Sequence, residues 1–314
     1  MRQLVKIWIL VFAMVMSGAL PPQMTGDNTI TTQWCAQAKS KHKKSNKKGK
    51  KDKKKSNKSG KTSKTASPLM SVPTIGKTTL TSTTTATGSH NPLMAVGTPK
   101  GMANQVLNYN AIRVNYNPSY RIPNCVAYEL TATMIDMADA PGHENRKSYN
   151  YAKDPNVGTC PENWEYRGSG YSRGHMAPAM DMRWDKTSMA QCFYMTNMCP
   201  RDTKLNNDHW RVLEEKVHRW AKRDKRLMVY TGPIMGKNPK FIGKNKQNIA
   251  VPDAFFKVVY APEQGRAIAF IYDNKPCPGN ISKYAVTVAE VERRTGLKFS
   301  STIPKHQCNI DDWQ

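Results

Sequence analysis

The chain has 314 residues, 39% of them hydrophobic, and a formal net charge of +25 at pH 7. That length buries a substantial core without staples, which sets aside folds that depend on cross-links for their stability. Positive charge on this scale attracts polyanions, whether nucleic acid, anionic lipid or acidic glycan, and does not by itself choose among them or exclude plain solubility.

The charge is unevenly placed. Residues 39–64 hold fourteen Lys and one acid, Asp52, a net +13 of the total, and the remaining +12 is spread over the rest. At the N-terminus, Arg2 and Lys6 precede an apolar run from Ile7 to Leu20. It is short for a membrane span and suits a secretory signal over residues 1–20, with an uncleaved anchor as the competitor. Ser17-Gly18-Ala19 and Ala36-Gln37-Ala38 both offer small residues for cleavage. A secreted or periplasmic protein is expected, membrane-anchored if the segment stays. Residues 21–104 form a linker: the Lys-rich stretch carries no aliphatic residue and cannot bury enough apolar surface to offset the entropy of ordering. It reads as a tether, an envelope-binding or nucleic-acid-binding arm, or a solvated spacer.

Seven cysteines fit an oxidising compartment; six of them, Cys125, Cys160, Cys192, Cys199, Cys277 and Cys308, allow up to three bridges. Cys277–Cys308 is the expected bridge, fastening the C-terminal tail. The absence of any C-x-x-C pair argues against a structural zinc knuckle.

One domain is expected over residues 105–314. Ala111–Tyr116 and Cys125–Thr131 read as strands, separated by turns at Asn117-Pro118 and Ile122-Pro123-Asn124. Residues 138–170 are loop-rich. Cys192–Met198 is strand-like. Apolar residues at Trp210, Leu213, Val217, Trp220 and Ala221 place a helix over Asp208–Arg223. Arg226–Thr231 reads as a strand ended by Gly232-Pro233, and 254–260 with 267–272 as a hairpin. A last helix starts at the Thr287–Glu290 capping box and stops at Gly296. Many strands and few helices give an α+β class.

The chemistry-bearing residues lie between Gly170 and Trp220. His175 follows Arg173 and Gly174. An imidazole takes a proton near neutral pH, a guanidinium fits phosphate or carboxylate, and glycine permits close approach. Taken singly, each residue has a plain alternative: His175 as a packed or surface side chain, Asn206 as a helix N-cap, Glu214 as a solvated helix residue.

In combination they carry a resemblance. Ser172-Arg173-Gly174-His175-Met176-Ala177-Pro178-Ala179-Met180-Asp181-Met182, then Phe193-Tyr194-Met195-Thr196-Asn197-Met198-Cys199-Pro200, then Leu205, Asn206, Trp210, Leu213 and Glu214 resemble the successive signatures of the DNA/RNA non-specific endonucleases. Tyr230-Thr231-Gly232-Pro233, Val251-Pro252 with Phe255-Phe256-Lys257, and Val291-Glu292 with Thr295-Gly296-Leu297 extend it, so that it spans about residues 110–304. The resemblance implies a central antiparallel sheet with flanking helices and a ββα-metal unit. It implies His175 as general base, Asn206 as direct ligand of Mg²⁺, with Mn²⁺ as the alternative ion, Glu214 holding the metal through water, and Arg173 and Arg146 on phosphate. DNA and RNA are the implied substrates, cut to 5′-phosphate and 3′-hydroxyl ends, with a possible envelope or polyanion contact through the Lys-rich arm. Two departures stand out: Ser172 where the family usually has Asp, and Arg201 where Gln is common. Rival readings are a binding protein without turnover, an envelope-associated structural protein, and a phosphodiesterase for small substrates.

Overall fold

The computed structural model describes residues 91–99, 101–243 and 249–314. The expected signal, its cleavage sites and the Lys-rich arm lie outside the described residues. Strands β1 (Gln105–Asn108), β2 (Ile112–Asn117) and β3 (Ile122–Thr131) open the domain. β4 (Tyr171–His175) and β5 (Met198–Asp202) form a separate antiparallel pair. β6 (Arg226–Ile234) follows, then the small pair β7 (Lys240–Ile242) and β8 (Ile249–Val251), then β9 (Ala254–Ala261), β10 (Arg266–Asp273) and β11 (Ala285–Val286). The main sheet is antiparallel throughout, in the order β1-β2-β3-β6-β9-β10-β11. β3 and β6 are neighbours in this sheet, so the whole segment from Ala132 to Lys225 is inserted between two central strands.

Alternation along the strands makes two cores. Phe255 and Val259 of β9, with Ile268, Phe270 and Tyr272 of β10, point to one face. Ala254, Phe256 and Val258, with Ala267, Ala269 and Ile271, point to the other. Helix α4 (His209–Asp224) covers the first face with Trp210, Leu213, Val217 and Trp220. The Trp210 ring meets Phe255 and Tyr272 edge-on at 5.9 and 6.0 Å, and Trp220 stacks on Phe270 at 6.2 Å. Burying each of these large side chains contributes about 1.5–3 kcal/mol. Helix α5 (Val288–Thr295) covers the second face through Val288 and Val291. Its Thr287 hydroxyl accepts from the Glu290 amide, and Gly296 ends it at φ 73°, both as the sequence predicts. The α+β architecture with flanking helices is therefore present.

Several local expectations change. Ile122-Pro123-Asn124 belongs to β3, and a bulge between Asn115 and Tyr116 absorbs the irregularity; the turn lies earlier, where Arg121 takes φ 56°. β6 runs through Gly232-Pro233. A Cβ on Gly232 would sit 2.5 Å from the Asn124 carbonyl oxygen, so only glycine permits this approach. The ladder with β3 stops at Thr231, and Pro233 costs no hydrogen bond there. The run Cys192–Met198 is not a strand. Helix α2 (Lys186–Cys192), capped by Asp185 and following α1 (Ala132–Asp139), ends in it, and a 3₁₀ turn over Met195–Asn197 leads into β5. The six described cysteines are free thiols. Cys277–Cys308 is not formed: Cys277 is buried, with its thiol donating to the Asp273 and Lys275 carbonyls, whereas Cys308 is exposed.

Candidate active site

β4 and β5 pair in the register Gly174↔Cys199 and His175↔Met198, which sets His175 at the strand end. The chain beyond His175 is held by one buried amide. Asn197 Oδ1 accepts from the Ala177 amide at 3.0 Å, and its Nδ2 donates to the carbonyls of Ala177 at 3.0 Å and Cys192 at 2.8 Å. Asp181 ties the same segment to the sheet and to α4. It accepts from the Tyr128 hydroxyl at 2.9 Å and lies 3.0 Å from His218 Nδ1.

After β5 the chain makes a short helix, α3 (Thr203–Asn207), before α4. Asp202 caps α3, accepting from the amides of Lys204 and Leu205. Asn206 is thus inside a helix and does not act as an N-cap. Asp208, at the junction with α4, makes no capping bond from its side chain either. Glu214, in the second turn of α4, is not a solvated residue: it is half-buried and accepts from Trp210 Nε1 at 2.8 Å. The β4–β5 pair and the two helices α3 and α4 thus bring the base candidate and both metal-ligand candidates to one place.

That place is a cleft of about 530 Å³ lined by Arg146, Arg173, His175, Asn206 and Glu214. All five residues singled out from the sequence share it, with Tyr151, Ser172, Arg201 and Arg211 also on its walls. The Arg146 guanidinium lies 4.4 Å from the Phe193 ring and donates to the Tyr151 hydroxyl at 3.4 Å. Arg173 donates to the Asn163 carbonyl at 2.5 Å and sits over the rings of Tyr151 and Tyr166. Ser172 bonds the Thr203 hydroxyl at 3.0 Å, so it links β4 to α3.

The electrostatics follow from burial among cations. His175 packs edge-on against Phe193 at 5.0 Å, and its covered Nε2 has no hydrogen-bond partner. Burial pushes its pKa down to about 3, with Arg146 and then Arg201 adding to the effect, so the imidazole is neutral at pH 7. Burial raises the Glu214 carboxyl, against the opposing pull of Lys257 and Arg201.

Lys257 and Arg201, which stand in the sequence motifs without an expected role, also take part. Lys257 is fully buried on the α4-facing side of β9, donates to the Thr231 hydroxyl at 2.9 Å, and lies 5.0 Å from the Trp210 ring. Burial pulls its pKa down while Glu214 holds it up. A lone Lys in the apolar run Phe255–Tyr260 is the signal that marks it. Arg201 is 1% exposed, and its guanidinium is flanked by Trp210 at 4.3 Å and Phe255 at 4.6 Å. Gly174 makes room for it: a Cβ there would come within 2.8 Å of the Arg201 side chain. The glycine therefore serves close packing of protein on protein.

The donor set suits a hard divalent cation. Asn206 and Glu214, both with oxygen donors, line the cleft, and among the described residues no cluster of three or more His, Cys, Asp or Glu offers another site.

The family model of DNA/RNA non-specific endonucleases matches residues 89–306. Nuclease 1, mitochondrial, of Schizosaccharomyces pombe is 32% identical over 233 residues, covering 67% of this chain and 70% of that protein. Nuclease EXOG, mitochondrial, of Danio rerio is 30% identical over 256 residues, covering 73% of this chain and 72% of its own. A chain in the crystal structure of the EndoG/EndoGI complex, a study of EndoG inhibition, aligns with a TM-score of 0.58 and 27% identity. The alignment covers 64% of this chain and 87% of that one. These two relatives are named as mitochondrial, which overturns the expectation of a secreted or periplasmic protein. No helix among the described residues is long and apolar enough to cross a membrane. The chain belongs to the DNA/RNA non-specific endonuclease family and is a metal-dependent endonuclease.

Proposed function

We propose that the protein hydrolyses phosphodiester bonds of DNA and RNA with Mg²⁺, leaving 5′-phosphate and 3′-hydroxyl ends. The observation that supports this reading is the single cleft in which a neutral imidazole, an amide oxygen, a carboxylate and several arginines converge. Arg146, Arg173 and Arg211 bind the phosphate backbone, and contacts to phosphate carry little base information, so cutting is indifferent to sequence. His175, neutral and on the wall of the cleft, takes the proton from a water that attacks phosphorus in line. Asn206 would hold Mg²⁺ directly and Glu214 through water; bound there, the ion supplies positive charge against the anionic transition state. The arginines stabilise charge on the non-bridging oxygens. Lys257 keeps a cation behind Glu214 and favours its ionised form.

We read the nuclease domain as beginning near residue 89, ahead of the expected 105, because the family match starts there and Met94 packs into the second core; the stretch before it is read as a linker whose Lys-rich part contacts the polyanionic substrate. Cleavage of supercoiled plasmid and of RNA by the purified chain, with Mg²⁺ and with chelator, tests the reading. Metal-dependent cutting of both polymers, with ends that accept a 3′ extension and carry a 5′-phosphate, is expected. Binding without cutting would favour the turnover-free rival, and cutting only of small model phosphodiesters would favour the third.

A further inference from the structure

Arg201 makes a contact that bears on how the metal arrives. Its Nη1 donates to Asn206 Oδ1 at 3.2 Å, and its Nη2 donates to the His175 carbonyl at 2.9 Å. The side chain spans from the end of β4 to α3 and is clamped between Trp210 and Phe255 in the space that Gly174 leaves. It is therefore a fixed cation bonded to the oxygen assigned above as the metal ligand.

Two consequences follow. An amide oxygen has two lone pairs, and the guanidinium takes one of them. A divalent ion on the other would lie close to a buried positive charge that cannot swing away, and like charges repel strongly where water is scarce. Arg146, Arg173 and Arg211 add positive charge around the cleft, against the one carboxylate of Glu214 among its lining residues. A phosphodiester brought into the cleft reverses this balance, because its anionic oxygens both offset the arginines and ligate a hard cation.

We propose that Arg201 is a positioning residue that holds the metal affinity of the free protein low and couples metal uptake to the arrival of a nucleic-acid phosphate. The inference rests on Asn206 being the metal ligand. It makes the order of binding a property of the buried guanidinium: substrate first or together with metal, rather than metal first.

The test measures Mn²⁺ binding to the full-length chain by the electron paramagnetic resonance signal of free Mn²⁺, a readout independent of turnover. The His175→Ala background prevents cleavage, and a twelve-nucleotide DNA alone serves as the blank. The parent is expected to bind Mn²⁺ weakly, and roughly tenfold or more tighter when the DNA is added. Arg201→Gln, which keeps a donor but removes the charge, is expected to bind Mn²⁺ roughly tenfold tighter without DNA and to lose most of the DNA enhancement. An affinity within about twofold of the parent in Arg201→Gln, or no enhancement by DNA in the parent, overturns the proposal. Should Arg201→Gln fail to fold by circular dichroism, Arg201→Met, which also removes the charge, takes its place with the same expected tightening and the same overturning result. Asn206→Ala separates the two layers. If it binds Mn²⁺ as the parent does, the ligand assignment fails and the inference with it; if it loses Mn²⁺ while Arg201→Gln is unchanged, only the inference fails.

Discussion

Replacing Asn197 by Ala should cost both stability and activity, and the structure sets the scale. The side chain is 1% exposed and makes three hydrogen bonds, one from the Ala177 amide and two to the carbonyls of Ala177 and Cys192. Each such bond contributes about 1 kcal/mol net, and stranding buried backbone groups adds to the loss, so roughly 3–5 kcal/mol is expected. For a domain of this size each kcal/mol lowers Tm by about 2–4 °C, giving a fall on the order of 6–20 °C. Asn197→Asp is the control. It preserves volume and the acceptor for the Ala177 amide, but it turns an acceptor toward two carbonyl oxygens and should destabilise at least as much. Urea unfolding gives the free energies, and plasmid cleavage well below Tm shows whether the loop after His175 is still held. A loss under about 1 kcal/mol in Asn197→Ala would show that the amide is not what fixes that loop.

Three other outcomes follow from the site. Asn206→Ala should raise the Mg²⁺ concentration at half-maximal rate, with activity partly restored at high Mg²⁺; an unchanged half-saturation point would remove Asn206 from the metal site. Because burial and Arg146 depress the His175 pKa, the imidazole stays unprotonated well below its ordinary 6.5, so kcat/KM should hold as pH falls through 6 and drop only at lower pH. Arg146→Ala should move that acid limb to higher pH, and a limb that stays in place would show that Arg146 does not act on the imidazole. Deleting residues 39–64 should raise KM on long DNA at low salt with kcat nearly unchanged, the difference shrinking as salt screens charge over a Debye length of ~8 Å; a large fall in kcat would make the arm part of the active enzyme.

The elements most legible in the sequence are those whose local signals agree with their packing. The β9–β10 hairpin announces itself by β-branched and aromatic residues on both sides of Pro262–Gly265, and α5 by a capping threonine and a terminal glycine. The stripe Trp210, Leu213, Val217 and Trp220 marks α4 because one helical face meets one sheet face. The cleft residues are legible from the order and spacing of their motifs, although nothing in the sequence shows that Arg146, across a long loop, reaches the same wall. Tertiary context decides the rest. Cys192–Met198 has strand composition, yet Asp185 caps a helix into it and the Asn197 amide folds it into a turn. Asn206 sits where a cap is plausible, but Asp202, four residues earlier, takes that role. Gly232-Pro233 stops a strand in isolation and not in a ladder that ends beside it. Arg201 and Lys257 are charged residues with no local reason to be buried; only the rings of Trp210 and Phe255, brought together from distant segments, explain the place of the guanidinium.

The proposed metal-dependent phosphodiester hydrolysis turns on the activation of water by His175. Its most direct measurement is the Mg²⁺-dependent rate of plasmid cleavage by His175→Ala beside the parent, with DNA binding followed in parallel. A loss of at least about two orders of magnitude in rate is expected, with binding retained. Near-normal cleavage by this variant would contradict it.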